Sequence, residues 1–422
     1  MPFQSLAWMR RHGPFLRRCH AHYGDIFTLR LAYEGNVVIL AHPDAVREVF
    51  TGDPYVVHAG EASAVLRPIV GRESLLVLDD RSHLLKRKLL LPQFHGEHMP
   101  GYEALMREVA EREVERWPND QAFSLLPRMH TIAVEVILQA LLGVAQGSYL
   151  ERLRDSVREL LDRYTETRTM AALFILGPAL TLRVTALGEL LRRVDEALYA
   201  EIASRRHDRH SEGREDVISL LLQARLEDGA QMSDTDVRDQ LMFLIVAGHE
   251  TTGTALAWAL ERLLRTPSAL HRLREEIAAG QDAYADAVCK ETLRLRPVVP
   301  VVTRRLQEST QIGGWLLPAG TTVAPCIDLI HRRPDIYPEP SQFRPERFLD
   351  DSPGAGTYTW IPFGGGVRRC LGAGFALLEM RTVLTTILAQ ARFRATRIRG
   401  ERVRRRAVSW APDRGAEVIL EA

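Results

Sequence analysis

The stretch MSDTDVRDQLMFLIVAGHETTGTALAWALERLLRTP, residues 232–267, leaves this chain little freedom. Ser233 stands where a helix N-cap would, with Asp236 three residues on, and Thr266-Pro267 stops the run. Helical between the cap and that stop, it would span about 45–50 Å at ~1.5 Å per residue, enough to cross a whole domain. Both ends carry charges, but residues 241–248 are apolar on every side, and a helix apolar all round has to be buried. The spacing predicts one long helix through the middle of the molecule.

The 422 residues, 46% of them hydrophobic, supply ample core for such an arrangement. Basic and acidic residues nearly cancel, 55 against 54, so charge gives no reason to expect a nucleic-acid partner. The four cysteines, Cys19, Cys289, Cys326 and Cys370, are too scattered for a C-x-x-C motif or a disulfide framework, which points to reduced thiols. Residues 1–20 are broken by Pro, Gly and Arg and lack the apolar core of a signal peptide. The longest apolar run, MAALFILGPAL at 170–180, is too short to cross a bilayer. A cytoplasmic protein with no transmembrane segment is expected. Its lysines are only Lys86, Lys88 and Lys290, a bias that goes with GC-rich bacterial genomes.

Neither repeats nor a Pro/Ser/Gly-rich linker divide the chain, so a single domain over 1–422 is expected, with 1–19 as a peripheral N-terminal segment. Residues 26–40 read as a hairpin around Glu34-Gly35-Asn36. Most windows from about 100 to 265 have helical periodicity, and RRHDRHSEGRED at 205–216 reads as a solvated connector. After residue 297, short β-rich pieces (VVPVVTRRL, QIGGWLLPAG, TTVAPCIDLI) alternate with Gly and Pro turns. A proline-dense stretch leads into FGGGVRRCLG, Phe363 to Gly372; helical spacing returns at 374–391, and the arginine-rich tail reads as strand. The expected fold is mostly α with small peripheral sheets.

A lone cysteine is more often a buried structural thiol than a ligand. The loop around Cys370 argues otherwise. Three consecutive glycines permit close approach of the backbone to a bound group, and two arginines beside the sulfur suit an anion. Phe363, Gly366, Arg368, Cys370 and Gly372 fit F-x-x-G-x-R-x-C-x-G, which resembles the haem-binding signature of the cytochrome P450 family. The resemblance runs from about residue 20 to 415. It implies haem b held by the Cys370 thiolate, the arrangement in which sulfur donates electron density toward O–O cleavage. It also implies backbone N–H groups turned toward the sulfur and Arg368 on a haem propionate.

The same resemblance assigns three further landmarks. Ala247-Gly248 would be where the long helix opens over the haem, with Glu250 and Thr251 as the acid–alcohol pair that relays protons through water. Glu291 and Arg294, spaced i,i+3, would join Arg347 of the PERF element in a buried structural triad. His83 and Arg87, at i,i+4, and Arg304 would contact the propionates, although neighbouring Arg305 is an alternative to Arg304. The other histidines, His95 and His98 among them, read as surface residues.

The implied activity is insertion of one atom of dioxygen into an apolar small molecule, by hydroxylation or epoxidation. Electrons would come from NAD(P)H indirectly, through a separate ferredoxin and ferredoxin reductase. Lys86, Lys88 and Arg369 are candidate contacts for an acidic ferredoxin. Expected pocket walls are residues 55–82, the 170–180 run, Phe243, Ala247, Val299 and Val302 within 298–303, and Val408 to Trp410. These suit a fatty-acid, terpenoid, steroid or polyketide-like substrate on a monomeric enzyme. Two rivals remain at this level: a haem-thiolate peroxygenase or isomerase, against which Glu250-Thr251 argues, and a non-catalytic haem-binding protein.

Overall fold

A computed structural model of the protein describes residues 4–5, 7–8, 12–31, 34–143, 148–166, 169, 172, 177–207, 214, 216–227, 229–349 and 356–421. Its first helices are α1 (His12–Tyr23), α2 (Pro43–Thr51), α3 (Arg67–Val70), α4 (Asp80–Leu90), α5 (Met99–Val114), α6 (Leu125–Leu142), α7 (Ser148–Thr165) and α8 (Pro178–Val184). Then come α9 (Ala186–His207), α10 (Val217–Gln223), α11 (Asp234–Leu264), α12 (Pro267–Ala278), α13 (Ala283–Leu295), α14 (Ile327–Ile330) and α15 (Ala373–Gln390). The chain forms two compact units: residues 1–58, 99–132 and 251–422, and residues 59–98 and 133–250. Helices α6 and α11 contribute to both.

The first unit holds the sheets. Strands β1 (Ile26–Leu31) and β2 (Gly35–Leu40) form the expected antiparallel hairpin, Ile26 opposite Leu40. They continue into a mixed sheet with β3 (Val57–His58), β5 (Arg304–Leu306) and β8 (Thr322–Pro325), in the order β1-β2-β8-β5-β3, while β4 (Ala122–Ser124), β6 (Thr310–Ile312) and β7 (Trp315–Leu317) belong to smaller sheets. Alternation along β2 fills a core on each side. Val38 and Leu40 pack with Val46 and Phe50 of α2, and Val37 and Ile39 pack with Leu16 of α1. The expectation of a peripheral segment to residue 19 therefore fails from residue 12 onward. Leu16 is fully buried, and Arg17 donates to the buried carboxylate of Asp328 at 2.9 Å. In the tail, β9 (Arg392–Ala395) and the β10–β11 hairpin (Val403–Arg406, Ser409–Pro412) are strands as expected, whereas Ile327–Ile330 of the CIDLI piece is helical.

The second unit is helical. The solvated connector expected at 205–216 lies partly outside the described residues, and its ends are not solvated. Arg205 is buried, paired with Glu201 and Asp216 and bonded to the Leu142 carbonyl and Ser219 hydroxyl. Asp216 also caps α10 through the Ser219 N–H, so a run rich in charge becomes an internal brace once its opposite charges meet.

Helix α11 starts as the sequence indicates. The Ser233 hydroxyl accepts from the Asp236 N–H at 3.1 Å and donates to the Asp236 carboxylate at 2.7 Å. Burial on all sides, however, does not hold for residues 241–248. Phe243 and Val246 are half-buried and Ala247 is exposed, so one stripe of the helix stays accessible. Helix α6 is long and apolar enough to cross a membrane, but 78% of it is buried inside the protein. Its apolar surface is used by the fold.

Candidate functional site

In the first unit the cysteine loop is shaped by its glycines. Gly364 and Gly366 adopt positive φ of 68° and 64°, a region that favours glycine. A Cβ on Gly366 would sit 1.7 Å from the Phe50 carbonyl oxygen, and one on Gly365 would enter the Phe50 ring at 2.3 Å. The loop is thus pressed onto α2 as no side chain would allow. The Cys370 N–H donates to the Phe363 carbonyl at 2.9 Å and the Arg369 N–H to that of Gly366 at 3.1 Å, closing the turn. Cys370 is exposed, while Cys19, Cys289 and Cys326 are buried. Burial pushes the Cys289 and Cys326 thiols well up, so neither is a ready thiolate. Gly372 precedes α15, and a Cβ there would meet no neighbouring group of the chain, so its own packing does not require glycine.

The Glu291, Arg294 and Arg347 expected as a brace do meet. Arg294 forms a two-pronged pair with Glu291, at 2.6 and 2.8 Å, with both side chains fully buried. Its remaining N–H groups donate to the carbonyls of His331, Pro340 and Gln342. Glu291 also accepts the Arg344 N–H at 2.8 Å and has Arg347 at 3.6 Å. Trp360 then stands between Phe348 and Phe363, with ring centroids 5.9 and 6.0 Å away, which carries the brace to the start of the loop.

Sequence reasoning missed His331 by treating the remaining histidines as surface residues; His12, His249 and His331 are all buried. The Ile361 N–H donates to His331 Nε2 at 2.9 Å, so Nδ1 carries the proton and donates to the Arg294 carbonyl at 3.2 Å. Burial, reinforced by the Arg294 charge, lowers its pKa to about 3. The only hint in the chain was its place in the proline-dense HRRP run.

Between Arg304 and Arg305 the fold makes a choice. They point to opposite faces of β5. Arg304 is buried with its guanidinium 5.8 Å from the centre of the Phe50 ring, the ring that also packs on Gly365. Arg305 instead donates to the Thr322 hydroxyl at 3.2 Å. Val302 packs against the cluster containing Phe50 and Ile361, and Val299 is half-buried. Val408 is 60% exposed at the β10–β11 turn. Trp410, expected in a pocket wall, is a core residue, its carbonyl accepting the Trp258 indole N–H at 2.8 Å.

In the second unit, Asp79 precedes α4 and accepts the N–H groups of Ala59, Gly60 and Glu61 at 2.7–2.9 Å. On α4, His83 is buried and Arg87 half-buried. Lys86, offered above as a docking contact, is buried and paired with Glu73 and Asp236, so it cannot meet a partner protein. On α11, Gly248 faces α6, where a Cβ would come within 3.2 Å of Ile137; its small size serves helix packing. Glu250 is buried beside His249, whose Nε2 is 3.9 Å from its carboxylate. Burial and the Glu250 charge push the Tyr164 hydroxyl up. Thr251 follows, half-buried. The 170–180 run falls largely outside the described residues.

Within the first unit, the groups suit a flat anionic prosthetic group: an accessible thiol on a glycine-formed loop and a buried guanidinium beside that loop's support. The comparisons agree. The family model "Cytochrome P450" matches residues 3–406. Cytochrome P450 135B1 of Mycobacterium tuberculosis (strain ATCC 25618 / H37Rv) is 42% identical over 98% of this chain and 88% of its own. Cytochrome P450 138 of Mycobacterium bovis is 36% identical over 99% and 94%. Among solved structures, retinoic-acid-bound cyanobacterial CYP120A1 shares the fold with a TM-score of 0.85 at 25% identity, covering 99% of this chain and 96% of that one. A match this long, through both units, leaves one family for the chain: it is a cytochrome P450, a monooxygenase that holds haem b through a cysteine thiolate and uses dioxygen and electrons from redox partners.

Proposed function

We propose that Cys370 supplies the thiolate and that the enzyme oxygenates a long, apolar small molecule. The observation that carries the assignment is the contrast among the thiols: Cys370 alone of the four is exposed, on a loop whose glycines hold it against Phe50. Haem, when bound, supplies the activation of dioxygen. The chain does the rest. Arg304, Arg368, His83 and Arg87 would hold its propionates, and Phe363 would pack beside the thiolate. Glu250 draws protons from solvent and Thr251 orients the water that delivers them, each by hydrogen bonding from the long helix.

Phe243, Val246 and Ala247 present an apolar face to substrate. Such a surface orients substrate by exclusion of water and by shape, which favours fatty-acid, terpenoid, steroid or polyketide-like molecules. The retinoic acid bound to the cyanobacterial relative supports a substrate of this length and polarity. A separate ferredoxin and its reductase are the proposed electron source, in the cytoplasm, and both units form one catalytic domain. The test is the reduced carbon-monoxide spectrum of haem-loaded protein. Cys370→Ala should lose the thiolate-type band entirely, while Cys326→Ala should keep it. An unchanged spectrum in Cys370→Ala overturns the assignment.

A further inference from the structure

Side chains of the first turns of α11 bond repeatedly to the segment from Ile69 to Leu75. Asp239 accepts the Glu73 N–H at 2.9 Å, and Gln240 accepts the Leu75 N–H at 2.9 Å while donating to the Glu73 carbonyl at 2.5 Å. Arg238 donates to the Ile69 carbonyl at 3.1 Å and is itself fixed by Asp195 of α9 and by Asp239. Lys86 closes the group, donating to the Glu73 carbonyl at 3.1 Å and pairing with Asp236.

Gly71 has a φ of 88°, and the Asp239 carboxyl carbon lies 1.9 Å from where its Cβ would be. Backbone and carboxylate could not approach so closely at any other residue. Gln240 is fully buried, and Asp239 and Arg238 nearly so, which makes these bonds hard to replace with water. The segment is neither paired in a sheet nor part of a long helix, so this network decides where it lies.

On its other side the segment carries an apolar cluster. Ile69, Val70 and Val77 pack with Leu66, Leu76, Tyr164 and Val246. Val246 adjoins Ala247 on the accessible stripe of α11. A shift of the clamped backbone therefore moves the Ile69–Val70–Val77 cluster that packs against Val246, next to that stripe.

We propose that Asp239 and Gln240 are positioning residues which, by clamping Ile69–Leu75, set the shape selectivity of the enzyme toward apolar ligands. The proposal rests on the reading that the Val246–Ala247 face meets substrate, and goes beyond it in naming what holds the neighbouring wall. It is tested on haem-loaded full-length protein with Gln240→Met, which keeps the shape but not the bonds, and Gln240→Glu, which keeps an acceptor for the Leu75 N–H.

Two readouts are needed: amide hydrogen exchange at Glu73 and Leu75, and dissociation constants for imidazoles bearing octyl, dodecyl or cyclohexyl tails. Gln240→Met should speed exchange at both amides about tenfold relative to α6. It should change the ratio of linear-tail to cyclohexyl affinity about fivefold, leaving the carbon-monoxide spectrum unaltered. Gln240→Glu should retain the Leu75 protection, and stands in as the test variant, through Glu73 exchange and the tail ratio, if Gln240→Met does not fold. Faster exchange with unchanged affinity ratios, or unchanged exchange, overturns the proposal. A parent protein without a thiolate-type spectrum would instead sink the haem-site reading, since exchange still reports on the clamp.

Discussion

Gly366 shows how much a single residue decides here. It needs both a positive φ and the absence of a side chain, because the Phe50 carbonyl occupies the place of its Cβ. Gly366→Ala is expected to cost at least about 1–3 kcal/mol in local strain. It should also displace the loop that carries Cys370, so the check is a lower thermal midpoint together with weaker haem retention. Gly372→Ala, with open space at its Cβ, should leave the midpoint of haem-free protein within about 0.5 kcal/mol of the parent. Of these two glycines in one signature, only the first is explained by the chain's own packing. That distinction is invisible in the motif, which prints both as the same letter.

At the scale of elements, the chain separates bracing from chemistry. Helix α13 supplies Glu291 and Arg294, the PERF turn supplies Arg347 and the Arg344 N–H, and aromatic rings pass the support on to Phe363. Because both charges of the central pair are fully buried, Glu291→Gln strands Arg294 and should cost about 3–5 kcal/mol, read as a lower urea midpoint. Arg347→Met should cost less, since Arg347 is 3.6 Å from the carboxylate and not fully buried. Equal losses from the two variants would count against this division of labour. The i,i+3 spacing of Glu291 and Arg294 was plain in the sequence, but nothing local said that this ion pair, unlike most, is buried.

For the whole molecule, acid is the revealing variable. His331 and His12 are buried and neutral, each with its pKa lowered to about 3, mainly by burial. Unfolding frees them to take up protons near 6.5, so the stability they confer is full above that pH and is lost as pH falls toward 3. By pH 5 each should have cost about 2 kcal/mol relative to pH 7. Asp328, held below the usual carboxylate range by Arg332 and Arg17 despite its burial, adds to the loss at still lower pH. Urea midpoints at pH 7 and pH 5 check this, and His331→Gln should have a shallower pH dependence than the parent. Partner docking is a second property of the whole molecule. With Lys86 buried, Lys88 and Arg369 are the exposed members of the basic set. Raising salt should slow electron transfer from the proposed ferredoxin, and Lys88→Glu should reduce that salt dependence; a rate indifferent to salt removes steering by these charges.

What could be read without a structure was whatever depends on neighbours a few residues apart. Helical period, the cap at Ser233, the β1–β2 hairpin and the cysteine signature are of this kind, because backbone geometry and turn chemistry act over one or two turns of chain. What only the tertiary structure decided depends on residues distant in sequence. Arg304 rather than Arg305 lies against Phe50, Lys86 is spent on Asp236, and a stripe of α11 at Ala247 stays open where composition alone demanded burial. Gln240 meets Leu75 across 165 positions. Burial and charge pairing are set by what the fold brings alongside, and no local pattern records the neighbour.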